Sequence, residues 1–276
     1  FFMPVHQPCI PSARITCMTD RYFDQIGAHF ARKIYASPKG AIRLAVLTRD
    51  LEQWMQGLSC NDRPLRILDV GAGLGHVSEW LLVRGHHLTV SEPSQEMLEA
   101  TRERLESITA ASNVTYLQLP LQALPQRSEQ YDLVICHAVL EWLADPAAAL
   151  QLLSQLVAPS GAISLAFYNR DALAYKNLIK GQFHKLRANQ LAGQGKRSLT
   201  PQQPLDPREM ALWSSAAQLT IKNSSGVRVF YDYMPEPFKS QSSLEDLIDQ
   251  ELHYSQHPAY SHLGRYLHWW LKPAPR

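Results

Sequence analysis

An apolar run that ends in a turn of alternating glycines constrains the fold of this chain more than any other feature. Residues 65–70 are mostly apolar and are followed by Gly71, Gly73 and Gly75. A short apolar run predicts a buried strand, and glycines at alternate positions predict a tight turn into a helix. Because strand, turn and helix together begin a βαβ unit, we expect an α/β fold built on a mostly parallel sheet.

Apolar runs and helical patterns alternate through the rest of the chain. Further strands are predicted at 86–91, 114–117, 131–136, 162–167, 219–233 and 265–271, with a turn at 159–161 and an interruption of the 219–233 strand near Gly226. Helices are predicted at 75–84, 94–107, 147–157, 171–179, 207–218 and 244–254, and two more at 22–34 and 39–55 form an N-terminal helical cap. Since crossovers between parallel strands are right-handed, these elements predict a seven-stranded, doubly wound sheet.

Length and composition fit one folded domain with an elaborated C-terminal half. The chain has 276 residues, of which 45% are hydrophobic and 19% are charged, as in ordinary globular proteins. We expect a disordered extension at 1–18, the helical cap at 19–60, a ligand-binding core at 61–170 and a C-terminal half at 171–276. Met18 is the expected natural start. Within the last part, 171–207 is predicted to be a basic insertion that binds substrate.

Cysteine spacing and hydropathy disfavour several classes of protein. The four cysteines lie far apart with no CxxC pair, so neither a zinc site nor a disulfide framework is indicated. No run approaches the roughly 20 apolar residues that cross a bilayer, and no signal-peptide pattern is present. We therefore expect a cytoplasmic protein without a metal or a membrane partner, and the sequence leaves its oligomeric state open.

The glycine turn also predicts the cofactor. Dinucleotide-binding turns follow G-x-G-x-x-G, whereas the last gap between Gly71 and Gly75 is one residue. Asp69 can attract an ammonium group, and Glu92, about 20 residues along at the end of the next strand, can accept both hydroxyls of a ribose. These features favour S-adenosylmethionine. A nicotinamide-dependent oxidoreductase, or another α/β enzyme with a glycine turn, is the alternative.

From about 65 to 168, the order and spacing of these features resemble class I methyltransferases, whose fold is Rossmann-like. His137 follows the predicted fourth strand, where ligands of open α/β sheets bind. The Asn/Asp-Pro-Pro-Tyr/Phe motif of amine-directed enzymes is absent there, which disfavours methylation of a base nitrogen. A cysteine nucleophile for methylation of pyrimidine C5 typically follows a proline. Cys136 lacks that proline, so we expect a buried structural thiol and not a nucleophile.

Several stretches together resemble one family within that class. They are Tyr22-Phe23-Asp24, 35–43, 137–142, Phe167-Tyr168-Asn169, 226–230 and Leu263-Gly264-Arg265-Tyr266. The likeness is to bacterial tRNA 5-carboxymethoxyuridine methyltransferases, and it extends from about 19 to 272. The resemblance implies transfer of a methyl group from S-adenosylmethionine to the carboxylate of a modified wobble uridine, which gives a methyl ester.

The resemblance also implies which residues contact the cofactor. By matching position they are Arg43, Gly71, Ala72, Glu92, Leu121, Gln122 and His137, and the turn itself adds Asp69 and Gly73. Arg43 can pair with the methionine carboxylate, and Leu121 with Gln122 can read adenine. Family members often have Gly at Ala72 and Asp at Glu92. Both departures are mild, because Glu reaches a ribose and Ala72 fits if its φ is negative.

A carboxylate substrate is already ionised at neutral pH, so it needs orientation and not a base. Arg228, beside the carboxyl edge of the sheet, and Tyr168, after the fifth strand, are the candidate catalytic residues that orient it. Lys39 is a weaker candidate. Ordinary surface or core roles compete with each of these assignments.

The basic segment 176–197 predicts a partner, the anticodon stem-loop of tRNA, whose phosphates it would contact. Tyr175, Phe183 or Tyr231 would stack on an unpaired base, although a charged loop can also be merely solvated. Two other functions stay open at this point. One is a small-molecule O-methyltransferase with a closed apolar pocket, and the other is a non-catalytic, cofactor-dependent tRNA-binding module.

Overall fold

One sheet organises the protein, whose computed structural model describes residues 19–21, 37–58, 63–108, 113–193 and 201–275. The strands are β1 (Arg66–Val70), β2 (His87–Ser91), β3 (Val114–Leu117), β4 (Tyr131–His137), β5 (Val157–Tyr168), β6 (Leu219–Val227) and β7 (Tyr266–Pro273). They form a seven-stranded sheet in the order β3-β2-β1-β4-β5-β7-β6. The predicted class I methyltransferase fold is confirmed.

Strand directions place most functional loops on one edge of the sheet. Strands β1 to β5 are parallel, and β7 lies antiparallel between β5 and β6. Consequently β6 runs in the same direction as β5. The loops that follow β1, β2, β3, β4, β5 and β6 therefore meet at one carboxyl edge, where open α/β sheets bind their ligands.

Helices cover both faces of the sheet. They are α1 (Pro38–Met55), α2 (His76–Val83), α3 (Gln95–Glu106), α4 (Pro146–Leu156), α5 (Arg170–Ile179), α6 (Phe183–Arg187), α7 (Pro207–Ala216), α8 (Glu236–Gln241) and α9 (Leu244–Tyr254). Side chains alternate along β1, so Leu68 packs in one core with Leu150 of α4, whereas Ile67 packs in another with Leu81 of α2. The predicted doubly wound arrangement follows from these two cores.

Helix α1, predicted as a cap helix at 39–55, lays an apolar stripe against the sheet. Ile42, Val46, Leu47 and Leu51 of α1 are at most 2% exposed, and Met55 packs at the end of the helix. The other predicted cap helix, at 22–34, and the predicted disordered extension at 1–18 lie outside the described residues. The domain limits proposed from the sequence remain predictions.

The turn predicted at 159–161 is wrong, because β5 already begins at Val157. Val157 pairs with Tyr131, and the next pair is Ala162 with Leu133, so the chain bulges between them without leaving the sheet. Gly161 makes the bulge possible: a Cβ there would lie 2.7 Å from the carbonyl oxygen of Asp132.

Strand β6 ends close to the interruption predicted near Gly226, whereas the predicted continuation to residue 233 is wrong. The strand ends at Val227, and Arg228 has a φ of 60°, which breaks the extended backbone. Helices α6 and α8 were not predicted, since they are short and have little apolar periodicity. No helix among the described residues is long and apolar enough to span a membrane. In the same part of the chain, no group of three or more His, Cys, Asp or Glu side chains could hold a metal ion.

Candidate active site

The turn between β1 and α2 adopts backbone conformations that favour glycine. Gly71 and Gly73 have φ values of 65° and 61°, whereas Ala72 between them is outside the positive-φ region. A Cβ on Gly71 would lie 2.6 Å from Val139 Cγ2, so any side chain there would displace Val139. As expected from the sequence, Ala72 fits the turn if its φ is negative, and the structure meets this requirement.

The Glu92 side chain connects this turn to the end of β2 through hydrogen bonds. Its Oε2 accepts a hydrogen bond from the Gly73 amide at 3.0 Å, and its Oε1 accepts one from the Ser94 amide at 3.0 Å. The side chain is buried and lines a cleft beside the turn. A carboxylate fixed in this way suits a pair of ribose hydroxyls, because both of its oxygens accept hydrogen bonds.

Two adjoining cavities are lined by the residues predicted to contact the cofactor. The larger is a cleft of about 750 Å³, including its open mouth, and a neighbouring cavity of about 410 Å³ shares part of its wall. The cleft is lined by Arg43, Gly71, Gly73, Glu92, Leu121, Gln122 and His137, and the smaller cavity adds Asp69 and Ala72. The structure thus brings all of these positions together at the carboxyl edge of the sheet.

Arg43 and Asp69 give the smaller cavity charges of both signs. Arg43 is 7% exposed and its guanidinium lies 4.9 Å from the centre of the Tyr266 ring. Within the described part of the chain, no acid forms an ion pair with it. Burial raises the pKa of Asp69 to about 6, although the Ser78 hydroxyl donates to it at 2.6 Å. Such groups suit a zwitterionic amino acid, whose carboxylate and ammonium would each meet an opposite charge.

The far end of the cleft is apolar and carries one amide side chain. Leu121 is 3% exposed and belongs to the core. The Gln122 side-chain amide donates to Asp20 Oδ2 at 2.7 Å, and Asp20 Oδ1 accepts from the Ala144 backbone amide at 2.7 Å. Asp20 takes one of the two N–H donors of Gln122, so the second N–H and the amide oxygen remain to hydrogen-bond a ligand.

His137 closes the cleft at the end of β4. Its Nε2 lies 2.8 Å from Ser164 Oγ, while its Nδ1 is buried without a hydrogen-bond partner in the described part of the chain. Burial lowers the pKa of His137 well below its usual range, and the charge of Arg43 acts in the same direction. The ring is therefore uncharged at neutral pH and can offer one nitrogen to a ligand.

Two buried arginines lie beside the cofactor cavities and share one carboxylate. Arg228 Nε and Arg265 Nε lie 3.1 and 3.2 Å from Asp232 Oδ2. Arg265 also donates to the Tyr168 hydroxyl at 3.4 Å, and the Arg228 guanidinium lies 5.5 Å from the centre of the Tyr266 ring. We call Tyr168, Arg228, Asp232, Arg265 and Tyr266 the arginine cluster. Its Tyr266 ring also contacts Arg43, so the arginine cluster adjoins the cofactor site.

The arginine cluster carries more positive than negative charge. Burial raises the pKa of Asp232, but the charges of Arg228 and Arg265 outweigh burial and hold that pKa below its usual range. Two buried guanidinium nitrogens make no hydrogen bond of normal geometry to a described residue. They are Arg265 Nη2 and Arg228 Nε, although Arg228 Nε lies a short distance from Asp232. Lys176 lies nearby, and burial, with the charge of Arg265, lowers its pKa to about 8. An anionic group would satisfy these donors.

A carboxylate anchor holds the backbone of Arg228 in place. The amides of Val229, Phe230 and Tyr231 donate to the Glu251 carboxylate at 2.7, 3.2 and 2.9 Å. Glu251 is fully buried on α9. These hydrogen bonds stabilise the turn in which Arg228 has a positive φ, a conformation that costs on the order of 1 kcal/mol or more for a residue with a side chain.

Two buried groups near the site have perturbed acidity. Neither carboxylate oxygen of Glu141 accepts a hydrogen bond of normal geometry from a described residue, and burial raises its pKa to about 7. Cys136 is 0% exposed, and burial raises the pKa of its thiol well above the usual value. The thiol is therefore unsuited to act as a nucleophile, as the sequence predicted.

The predicted nucleic-acid surface combines exposed aromatic and basic side chains. Tyr175 and Phe183 are 39% and 50% exposed, and Lys180 and Arg187 are exposed between and after them. Tyr231 is different: it is 7% exposed and packs with Ile42 in a core cluster, so its assignment as a stacking platform is wrong. Lys196 and Arg197 lie outside the described residues.

Sequence reasoning gave no site role to several residues that the structure brings to the site. These are Asp50, Glu141, Ser164, Asp232, Glu251, Arg265, Tyr266 and His268. Some signal was present: Asp50 interrupts the apolar stripe of α1, and His268 interrupts the apolar run of β7. Polar residues inside apolar runs indicate buried hydrogen bonding, but their partners are distant in sequence.

Comparison with known proteins agrees with this geometry. Residues 68–165 match the family described as Methyltransferase domain. The tRNA 5-carboxymethoxyuridine methyltransferase of Escherichia coli strain K12 is 35% identical over 252 residues, which cover 91% of this chain and 95% of that protein. A ubiquinone biosynthesis O-methyltransferase of Aeromonas salmonicida strain A449 is 30% identical over 163 residues, 59% of this chain and 66% of that protein.

A solved structure shares the fold across nearly the whole chain. Magnesium protoporphyrin IX methyltransferase from Synechocystis PCC 6803 has a TM-score of 0.61 at 17% identity, covering 92% of this chain and 97% of that one. The protein is an S-adenosylmethionine-dependent methyltransferase of class I. From its identity to the Escherichia coli protein over nearly all of both sequences, the chain belongs to the tRNA 5-carboxymethoxyuridine methyltransferase family.

Proposed function

We propose that the protein esterifies the carboxylate of 5-carboxymethoxyuridine at the wobble position of tRNA. The observation that carries this proposal is the excess positive charge of the arginine cluster. Arg228 and Arg265 share the single carboxylate of Asp232, and each has a buried nitrogen that makes no hydrogen bond of normal geometry to a described residue. A substrate carboxylate is the group that such a site is built to receive.

The cofactor fits the residues of the two cavities. Arg43 would hold the methionine carboxylate, Asp69 and His137 the ammonium group, and Glu92 the ribose hydroxyls. Leu121 and Gln122 would contact adenine, and Gly71, Ala72 and Gly73 would allow the close approach of the backbone. The fit rests on His137 Nδ1, which has no hydrogen-bond partner among the described residues, and on the Glu92 carboxylate held at the cleft by the Gly73 and Ser94 amides. When bound, S-adenosylmethionine supplies an electrophilic methyl group on its sulfonium sulfur.

The chain's own residues contribute orientation and charge. Arg228 would pair with the substrate carboxylate, and Tyr168 would keep Arg265 in place through its hydroxyl. No general base is required, because the attacking carboxylate oxygen carries no proton at neutral pH. The rate enhancement then comes from holding this oxygen in line with the methyl group in a site shielded from water.

An anticodon stem-loop would dock on the segment that follows β5. Exposed Tyr175 and Phe183 can stack on unpaired bases, and Lys180, Lys185 and Arg187 can contact phosphates. Lys176, half-buried beside Arg265, continues this basic surface to the arginine cluster. A splayed wobble base could thus reach the cluster while the stem stays on the surface. Such a substrate is consistent with a cytoplasmic enzyme.

The test is transfer of a labelled methyl group from S-adenosylmethionine to tRNA prepared with or without 5-carboxymethoxyuridine. We expect label only in the tRNA that carries the carboxymethoxy group, and we expect mild alkali to release it, because methyl esters hydrolyse whereas N-methyl and ether groups do not. Label that resists alkali would contradict esterification. Label in a metabolite extract but in neither tRNA would identify a small-molecule O-methyltransferase instead.

A further inference from the structure

A chain of buried polar side chains crosses the sheet from the cofactor cleft to α1. His137 Nε2 lies 2.8 Å from Ser164 Oγ, and Ser164 Oγ lies 2.7 Å from His268 Nε2. His268 Nδ1 in turn lies 2.8 Å from Asp50 Oδ2. Ser164 of β5, His268 of β7 and Asp50 of α1 are each 0% exposed. We call these four residues the relay.

The Asp50 end sets the direction of the hydrogen bonds in the relay. Asp50 Oδ1 accepts from Arg49 Nε at 2.8 Å and from Gln256 Nε2 at 3.1 Å, so the carboxylate is held as an acceptor. With His268 in its neutral form, Nδ1 donates to Asp50 and Nε2 accepts from the Ser164 hydroxyl. The Ser164 oxygen is left to accept the Nε2 proton of His137.

At the other end of the relay, one ring nitrogen of His137 is available to a ligand. With Nε2 donating to Ser164, the neutral ring carries a lone pair on Nδ1, and that atom is buried without a partner among the described residues. His137 lines both cofactor cavities. A buried acceptor without a donor lowers stability. A ligand that brings an N–H group to this position would therefore recover binding free energy.

We propose that Asp50, His268 and Ser164 are positioning residues that hold His137 in the tautomer whose Nδ1 accepts a hydrogen bond from the ammonium group of S-adenosylmethionine. This inference rests on the proposed cofactor function of the cleft. Ring contacts restrain the same geometry. The centres of the His137 and His268 rings lie 5.1 Å apart with the rings nearly perpendicular, and the centres of the Trp54 and His268 rings lie 4.7 Å apart. The relay acts on the amino end of the cofactor and not on the methyl group.

The first test couples the relay to the amino group of the ligand. We would measure Kd for S-adenosylhomocysteine and for its analogue without the amino group, in the wild type and in Ser164→Ala. The variant should bind S-adenosylhomocysteine roughly tenfold more weakly, with Kd for the analogue unchanged. The matched control is Ser225→Ala, which removes a buried hydroxyl that has no hydrogen-bond partner among the described residues and lies opposite His268 on β6. Equal weakening for both ligands in Ser164→Ala would overturn the proposal.

A second measurement tests the tautomer in the wild type, and this part does not depend on the variant folding. ¹⁵N NMR of the imidazole groups in the cofactor-free wild type should show His137 protonated at Nε2 and unprotonated at Nδ1. In Ser164→Ala both tautomers should be populated. A proton on Nδ1 in the wild type, as expected if His268 were cationic and the relay ran in reverse, would contradict the proposal.

These measurements separate the relay from the esterification. Neither uses tRNA or methyl transfer, so a protein that shows the predicted coupling but esterifies no tRNA would refute the proposed substrate and support the relay. A protein that esterifies tRNA but shows no coupling would do the opposite.

Discussion

The cofactor cleft and the arginine cluster lie side by side, yet they are built in different ways. The cleft is made mainly of loops that directly follow β1 to β4, and its ligand-binding groups are backbone amides and a few charges such as Arg43 without a paired acid among the described residues. The arginine cluster draws on the ends of β5, β6 and β7, and its charges are partly paired through Asp232. A turn with a positive φ at Arg228 completes it.

The difference suggests how each region recognises its ligand. A cleft of backbone groups fits a cofactor that many enzymes share, because backbone geometry changes little with sequence. A buried cluster with excess charge selects one chemical group, since an uncharged competitor would leave donors unpaired. We therefore expect substitutions in the arginine cluster to affect the tRNA reaction and to leave cofactor binding largely intact.

The largest effect should come from Arg228→Met. Removing the guanidinium leaves the substrate carboxylate without its partner, so kcat/KM for tRNA esterification should fall roughly 100- to 1,000-fold. Kd for S-adenosylhomocysteine should stay within about threefold. Arg208→Met is the control, because this side chain is 78% exposed on α7. A loss of cofactor affinity that matches the loss of kcat/KM would break the division between the two regions.

Glu141→Gln should change the pH dependence of stability. The pKa of Glu141 is raised from 4.5 to about 7 in the folded protein. Between these pH values the unfolded chain loses this proton and the folded protein keeps it, so wild-type stability falls as pH rises. A glutamine side chain at this position has no proton to lose, so the variant should gain about 3 kcal/mol relative to the wild type between pH 4 and pH 8.

Denaturant unfolding at both pH values measures this difference, and Glu103→Gln, at an exposed position of α3, is the control. A constant difference between Glu141→Gln and the wild type across the range would mean that Glu141 is ionised in the folded protein. In that case it would be a counter-charge for Arg43, and the cofactor site would hold less free positive charge than proposed.

Glu251→Gln tests whether the arginine cluster depends on its backbone turn. Glutamine has one acceptor oxygen in place of two, so at least one of the three amides from Val229 to Tyr231 loses its partner. Stability should fall by about 1–3 kcal/mol, and kcat/KM should fall roughly tenfold as Arg228 shifts. Asp249→Asn, at an exposed position of the same helix, is the control. Unchanged kcat/KM would mean that Arg228 needs no such support.

The smallest effect is expected on the surface. Lys180→Gln and Arg187→Gln should each weaken tRNA binding a few-fold and reduce the slope of log Kd against log salt by about 0.7–0.9. Arg102→Gln, an exposed change on α3, should leave the slope unchanged. An unchanged slope in the first two variants would place the tRNA elsewhere on the protein.

The parts that sequence predicted well are those that depend on local pattern. The limits of β3 and α9 agree residue for residue with the prediction, and the glycine turn and Glu92 lie where the spacing put them. The predicted continuation of β6 beyond its interruption near Gly226 was wrong because residues 228–233 continue a strand-like pattern. What stops the strand is Glu251, a contact from a helix 20 or more residues away.

The same limit explains what the site prediction lacked. Arg228 and Tyr168 could be proposed from the sequence because Arg228 was expected beside the carboxyl edge of the sheet and Tyr168 just after the fifth strand. Arg265 and Asp232 form one ion pair across 33 residues, and Ser164 and His268 lie 104 residues apart. Only the pairing of β5 with β7 brings the latter two together, and local periodicity contains no information about that pairing.

The most direct test of the account is whether the arginine cluster selects a carboxylate. Binding of an anticodon stem-loop with wobble 5-carboxymethoxyuridine should be compared with binding of the same stem-loop carrying 5-methoxyuridine, in the wild type and in Arg228→Met. We expect the wild type to prefer the carboxylate roughly 30-fold or more and the variant to lose that preference. Equal binding of both stem-loops by the wild type, or an unchanged preference in the variant, would contradict the account.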